Sequence, residues 1–452
     1  MPRHDLVVIG TGSGNTVVDE SFADLDVAIV EEEHRFGGTC LNVGCIPSKM
    51  LARTADVVDE IRGAATFDVD ADLRGVRWGD VQDRVFGRLD PIATDGRDGR
   101  EQTPWITVHT GRARFTGERR LDVGGTEVSA DQIVIATGSR PVVPPPVAES
   151  GLPFHTSDTV MRLASPPRRL AVLGGGYIAA ELAHVFAAAG AEIVLVEAVD
   201  ALLATQDEAV SRAFTELAAT RYDLRLGRTL ERLEGAPGAL RLVLDDGSVA
   251  EADTLLVATG RTPNGDRLDL PAGGIDTHDD GRIVVDAHQR TSSPGVWALG
   301  DVSTPVPLKH VANHEADVVR HNLRHPGDLV AATLDVVPAA VFTNPPIASV
   351  GATEQSLRDN GTAYRTGLAR YSDTAYGWAL EDDTGFCKVL ADRATSRILG
   401  AHVLGPQAPT LIQPLVLAMT LDIPAVRLLG GPQWIHPALT EVVQQALLAL
   451  DD

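Results

Sequence analysis

The 452-residue sequence predicts an α/β protein with two dinucleotide-binding (Rossmann-like) units and a C-terminal α+β domain. Three observations predict it. An apolar run, a glycine turn and a second apolar run ending in an acid occur near the N-terminus. The same pattern returns about 165 positions later. Beyond about residue 335 there is no third glycine fingerprint, and short β-rich stretches mix with helical ones.

In the first unit Leu6–Ile9 runs into Gly10-Thr-Gly12-Ser-Gly14-Asn15, and Val27–Val30 leads to Glu31-Glu32-Glu33. Strand, glycine turn, helix, strand and then an acid is the dinucleotide-binding order. The glycines let the backbone approach a pyrophosphate, and a helix N-terminus adds amides and a favourable dipole. Asn15 replaces the third glycine, so helix and strand approach less closely there. In the second unit Leu170–Leu173 precedes Gly174-Gly175-Gly176-Tyr177-Ile-Ala179-Ala-Glu181, and Glu192–Val196 ends at Glu197. Two complete units in one chain are not a coincidence of composition. Ile133–Gly138 and Leu255–Gly260 repeat as buried strands, each ending in a glycine near a cofactor. Pro141–Pro146 reads as a stiff connector between units, and Val296–Gly300 as a strand ending at Asp301. The domains expected are 1–145 with 267–335, then 146–266, then 336–452. In the last, Val336–Val350 and Cys387–Leu404 read as β-rich, Thr410–Met419 and Leu439–Leu450 as helical.

Composition narrows the class. Hydrophobic residues at 44% and charged residues at 22% suit an ordinary globular protein. A net charge of -23 argues against nucleic acid or an anionic membrane as the main partner. No run approaches the ~18 uncharged apolar residues of a membrane span, and no signal-peptide core follows Met1, so a cytoplasmic location is expected. Only Lys49, Lys309 and Lys388 are lysines among 39 basic residues, which makes each worth inspecting.

Three cysteines are too few for a disulfide scaffold. Cys40 and Cys45 lie in Gly37-Gly-Thr39-Cys40-Leu-Asn-Val-Gly-Cys45-Ile-Pro-Ser-Lys49; Cys387 stands alone and reads as structural. The pair could be two small buried hydrophobes. A zinc site would need four ligands, and no matching Cys or His pair is apparent, so no metal is expected. A redox-active dithiol is the third reading, favoured by its place just beyond a cofactor unit. Lys49, four residues after Cys45, adds charge that favours a thiolate. His436-Pro437 followed by Glu441 offers an imidazole held by a carboxylate, which suits protonation of a leaving thiolate. Pro437 is expected at the first position of a helix that carries Glu441 one turn in.

The glycine units, the Cys40–Lys49 segment, Ala298-Leu-Gly-Asp301 and His436-Pro437 with Glu441 together resemble the flavoprotein disulfide reductases. That group includes glutathione reductase and dihydrolipoamide dehydrogenase, and the resemblance covers residues 4 to 450. Subfamily texture in Arg84–Arg88, His155–Met161, Lys309–Glu315, Tyr376-Gly-Trp378 and Trp434–Ala438 is most similar to the mycothione reductases. The resemblance implies FAD on the first unit, with Gly10, Gly12, Gly14, Glu31, Thr39, Lys49, Gly138 and Asp301 as contacts. An extra residue before the cysteine motif leaves Glu32 as the alternative ribose acid. It implies NAD(P)H on the second unit, with Gly174, Gly176, Tyr177, Ala179, Glu197 and Gly260, Tyr177 serving as a gate. Cys45 takes the position of the charge-transfer thiolate beside the flavin, and Cys40 that of the thiol that attacks a small disulfide. Lys49 and Glu181 match an ion pair beside the flavin.

The resemblance further implies a homodimer through residues 336–452, in which His436 and Glu441 complete the other chain's site. Trp434, Ile435 and the helix Val442–Leu450 are expected to anchor that interface. One feature departs from the group: Glu197 ends the second unit, and no lysine or arginine occurs from Ala198 to Glu208. A carboxylate suits two ribose hydroxyls and repels a 2′-phosphate, so NADH is expected over NADPH. The in-class alternative is a dihydrolipoamide dehydrogenase; the different-class one is a nucleotide-binding subunit without catalysis.

Overall fold

Strand Arg3–Ile9 lies inside the first sheet because Leu6–Ile9 are apolar toward both faces, and all four are buried. The computed structural model describes residues 2–33 and 35–450. This sheet has seven strands. Its parallel part runs Ile106–Thr110, Val27–Glu31, Arg3–Ile9, Thr126–Ile135, with Val296–Ala298 also on Thr126–Ile135. Pairing of Val296–Ala298 with Ile133–Ile135 carries Asp301 to the edge where the Gly10 turn emerges.

The first unit differs from expectation. No α-helix joins its strands; Gly14–Thr16 and Glu20–Phe22 are single 3₁₀ turns. Asn15-Thr-Val-Val-Asp19 offers only β-branched and Asx residues where a helix would start, and the connection to Val27 is short. The helix Lys309–Arg324 covers the vacated face instead. Its Ala316 and Val319 pack in one cluster with Val17, Val18 and Phe22, and Arg320 donates to the Thr16 carbonyl at 3.2 Å.

The second sheet is parallel throughout, in the order Asp223–Leu226, Glu192–Glu197, Arg169–Leu173, Thr254–Val257. Here the helix Tyr177–Ala188 is complete. Both units impose one backbone demand. Gly10 (φ 102°) would place a Cβ 2.4 Å from the Ala136 carbonyl oxygen, and Gly174 (φ 112°) a Cβ 2.4 Å from that of Ala258. No side chain fits either position. The proline connector is only partly extended. Ser139–Pro141 pairs antiparallel with Arg261–Pro263, whereas Pro145–Ala148 forms a short helix, since proline suits a first turn. Antiparallel strands Ala113–Val123 and Leu230–Ala252 were not foreseen.

Residues 338–404 form a five-stranded antiparallel sheet ordered Pro338–Val341, Ile347–Gly351, Ile398–Leu404, Phe386–Asp392, Tyr364–Arg370. Helices Ala408–Leu411, Gln413–Thr420 and Thr440–Leu448 pack on it. The last begins at Thr440, not Pro437: Ala438 and Leu439 form a turn whose carbonyls accept the Glu441 and Val442 amides. Its Val442, Val443, Ala446 and Leu447 are buried in their own chain's core and do not serve as free anchors. Leu448 on the same helix stays exposed, as do Leu368, Trp378, Leu417, Leu421, Val426 and Ile435 elsewhere in this part. Cys387 is fully buried, and burial pushes its thiol up to about 12, which keeps it unreactive.

Lys388 ties the second sheet's neighbourhood to the C-terminal sheet. Its ammonium lies 2.7 Å from Asp207 Oδ1 and 2.6 Å from Glu354 Oε2. Asp207 also accepts the Ala209 and Glu354 amides, capping the helix Glu208–Ala219. Burial works to raise the Asp207 pKa, but Lys388 and the Glu354 amide outweigh it and hold it low. Removing one member of such a pair leaves an unpaired buried charge. Lys388→Met should therefore cost about 3–5 kcal/mol, read as a lower urea midpoint at pH 7. Carboxylates with lowered folded pKa stabilise above their ordinary range and lose that contribution as pH falls through it. The gap between wild type and Lys388→Met should shrink as pH drops toward 4, as Asp207 takes up a proton.

Candidate active site

Gly37 (φ 102°) and Gly38 (φ 60°) turn the chain into the short helix Gly38–Asn42, which carries Cys40. A Cβ on Gly38 would stand 2.7 Å from the Gly12 Cα, so the cysteine segment rests directly on the first glycine turn. The backbone breaks at Val43–Gly44, and Cys45 opens the 18-residue helix Cys45–Arg62. Both thiols are free, as is Cys387. Cys45 sits at a helix N-terminus, where partial positive charge favours a thiolate. A hydrogen bond from the Cys40 thiol, with Lys49 assisting, outweighs burial and lowers Cys45 to about 6. The same bond and burial push Cys40 well up. The helix start and Lys49 thus favour negative charge on Cys45 over Cys40.

Lys49 lies one turn beyond Cys45, 2.7 Å from Glu181 Oε2 on the helix Tyr177–Ala188. The other oxygen of Glu181 accepts the Phe342 amide at 3.0 Å, and the Lys49 ammonium sits 5.0 Å from the Phe342 ring centroid. Three distant segments thus meet at one ion pair.

A cavity of about 630 Å³ opens beside the thiols. Gly10, Gly12, Glu31, Thr39, Cys40, Cys45, Lys49, Gly138, Tyr177, Glu181 and Asp301 all line it. Gly14 does not; it is buried against Ala136 and Val8. Glu31 Oε2 accepts the Thr11 amide at 3.0 Å and its hydroxyl at 2.5 Å, whereas Glu32 pairs with Arg112. Both acids line the cavity. Asp301 Oδ2 accepts from Ser139 Oγ at 2.6 Å, and Arg261 holds Ser139 from behind.

Two cavity-side residues fit a large polar cofactor and were not singled out in the sequence. Thr137 Oγ1 and Asn42 Oδ1 are buried and without a protein partner. Buried polar atoms are normally satisfied, so both call for a ligand group. With the glycine cradle and Asp301 they suit FAD. Nothing in their local pattern marks them, since the need for a partner arises only once burial is known.

Gly174, Gly176, Ala179, Glu197 and Gly260 lie outside this cavity, around the C-terminal edge of the second sheet. A Cβ on Gly175 would stand 2.8 Å from Glu197 Oε2, so the acid lies against the second glycine turn. Arg228 donates its amide to the Glu197 carbonyl, but its guanidinium is held by Asp246 at 2.7 Å. Arg221 is occupied by the Asn344 carbonyl and Asp59.

His436 Nδ1 lies 2.8 Å from Glu441 Oε1, and the imidazole beside it lowers the Glu441 pKa. The imidazole is 72% exposed and does not line the thiol cavity, whose walls come from residues 9–312.

The geometry is matched by known relatives. Residues 4–316 match the family described as "Pyridine nucleotide-disulphide oxidoreductase", and residues 337–447 match its dimerisation domain. Mycothione reductase from Mycobacterium tuberculosis is 48% identical over 461 residues, covering all of both chains. Glutathione reductase from Burkholderia cepacia is 34% identical, covering 97% of each chain. The solved structure of the HOCl-induced flavoprotein disulfide reductase RclA from Escherichia coli, as a Cu(II) complex, superposes with a TM-score of 0.87 at 27% identity. It covers 99% of this chain and 100% of that one. With its paired thiols beside a cofactor cavity, the chain belongs to the pyridine nucleotide-disulphide oxidoreductase family.

Proposed function

We propose that this chain reduces mycothione, the disulfide of mycothiol, with electrons from NAD(P)H. One arrangement carries the reaction: a Cys45 thiolate hydrogen-bonded by Cys40, in a cavity built for a flavin. The full-length likeness to mycothione reductase supports the substrate. When bound, FAD supplies the acceptor that takes hydride from the nicotinamide and passes an electron pair to sulfur. Gly10, Gly12, Thr137, Asn42, Asp301 and one of Glu31 or Glu32 would hold it. The protein's own groups do the rest. Lys49, steadied by Glu181, compensates the Cys45 charge. Cys40 attacks the substrate disulfide through a mixed disulfide. His436, oriented by Glu441, protonates the departing thiolate. Tyr177 covers the nicotinamide side in this reading, supported by its place at the first turn of its helix, partly exposed and lining the cavity. Free thiols suit a reducing compartment, which supports a cytoplasmic location. No helix among the described residues is long and apolar enough to cross a membrane.

With mycothione, the protein should turn over NAD(P)H much faster than with glutathione disulfide or lipoamide as the disulfide substrate. Cys40→Ser should abolish that turnover and keep long-wavelength absorbance, since serine can still donate to the Cys45 sulfur. Cys45→Ser should lose both. Equal spectra for the two variants would reverse the roles.

NADH is the preferred donor in this reading. Glu197 ends its strand beside the glycine turn, and Arg228 and Arg221 are already paired, which leaves exposed Arg212 as the arginine that could still approach a 2′-phosphate. The ratio of kcat/KM should favour NADH by at least about tenfold, roughly 1.4 kcal/mol of discrimination. A ratio favouring NADPH would refute it.

The dimerisation-domain match supports a homodimer. His436 stands exposed and outside its own chain's cavity, which supports the reading that each histidine serves the other chain's thiols. A mixed dimer of one Cys40→Ser chain and one His436→Ala chain then keeps one intact site of two. It should regain about half of the wild-type activity, while each parent homodimer stays inactive. No recovery would mean that each chain completes its own site.

A further inference from the structure

Of the three lysines, Lys49 is paired with Glu181 and Lys388 with Asp207 and Glu354. Lys309 is different. Among the described residues no carboxylate lies within ion-pair distance of it. Its ammonium donates to Ser13 Oγ at 2.8 Å, and Ser13 Oγ in turn donates to Asn313 Oδ1, one turn along the same helix, at 3.2 Å. Lys309 is the first residue of the helix Lys309–Arg324, where a cation runs against the helix dipole. Neither local pairing nor helix electrostatics accounts for it. The side chain lines the cavity that also holds Cys40 and Cys45.

Resting on the role given to Cys40 above, we propose that Lys309 is a positioning cation that stabilises the Cys40 thiolate while it exchanges with the substrate disulfide. Geometry brings the two together: Ser13, which holds the ammonium, follows Gly12, and Gly38 of the short helix that carries Cys40 packs directly on Gly12. The proton sits on Cys40, held by the bond to Cys45 and by burial. Attack requires that proton to leave and the negative charge to appear on Cys40. The charged groups acting on Cys40 are Cys45, which opposes ionisation, and Lys309 and Lys49, which favour it. Lys309 acts more strongly than Lys49 there. Lys49 is engaged with Glu181 and acts on both sulfurs, whereas Lys309 acts on Cys40.

The exchange balances. Cys40 gives its proton to the histidine base, and its sulfur bonds to one substrate sulfur as the substrate S–S bond breaks. One thiol departs with a proton. The Cys45 sulfur then bonds to Cys40 and releases the second thiol, which takes another proton. The electron pair consumed is the one supplied by NAD(P)H. Ser13 and Asn313 hold the ammonium beside the Gly12 turn, on which Gly38 of the Cys40 helix packs.

The test uses the FAD-loaded enzyme reduced by two electrons. Iodoacetamide labelling of Cys40, identified by peptide mass, is followed against pH in wild type, Lys309→Gln, Lys309→Met and Lys309→Arg. Glutamine keeps a hydrogen bond to Ser13 without the charge; arginine keeps the charge. In Lys309→Gln and Lys309→Met the labelling profile should move up by about one pH unit, about tenfold slower at pH 7. Lys309→Arg should restore it, with FAD content and the rate of reduction by NADH within twofold of wild type in all three. An unmoved profile in Lys309→Gln overturns the proposal while leaving the Cys40 assignment intact. So does loss of FAD in step with charge, which would assign the lysine to the cofactor. Labelling at Cys45 instead of Cys40 overturns both.

Discussion

The Lys49–Glu181 ion pair is the interaction on which the rest of the site depends. Lys49 comes from the cysteine helix, Glu181 from the helix of the second glycine unit, and the Phe342 amide from the C-terminal part. Glu181 is almost fully buried, and such a charge is tolerated only with its partners in place. The three segments are therefore held in one register. The same pair sets the field at Cys45, whose sulfur feels Lys49 as attraction and Glu181 as repulsion. Structure and reactivity share one contact.

Around it, backbone proximity does the positioning. Gly10 against Ala136 and Gly174 against Ala258 repeat one geometry in both units, and Gly38 stacks on Gly12 to bring the thiols to the cofactor cradle. The units are not equal. Where the second keeps its helix, the first has a 3₁₀ turn, and a helix nearly three hundred residues later covers the gap. That substitution brings Lys309 and Asn313 to Ser13. A missing local element thus imported a distant cation into the site.

Much of the site was legible because its chemistry is local. Cys40, Cys45 and Lys49 share one short segment, and a helix start at Cys45 places the lysine one turn away. His436 and Glu441 were legible as a pair for the same reason, although the helix begins later than proline alone suggests. The helix Val442–Leu450 was legible only as apolar: its face suits an interface as well as a core, and packing alone assigns Val442, Val443, Ala446 and Leu447 to its own sheet and leaves Leu448 exposed. Thr137 and Asn42 carried no signal, since an unsatisfied oxygen becomes informative only when water is excluded.

By itself the sequence determined the two glycine units, their acids and the thiol pair, because these depend on residue type at fixed short spacing. It also determined that the second unit ends in Glu197 with no lysine or arginine from Ala198 to Glu208. Tertiary structure alone decided which element fills the gap left by the first unit's absent helix, which lysine is neutralised, and that His436 lies outside its own chain's thiol cavity. Those outcomes depend on burial and on contacts between residues hundreds of positions apart, and no local pattern encodes the distance between such residues.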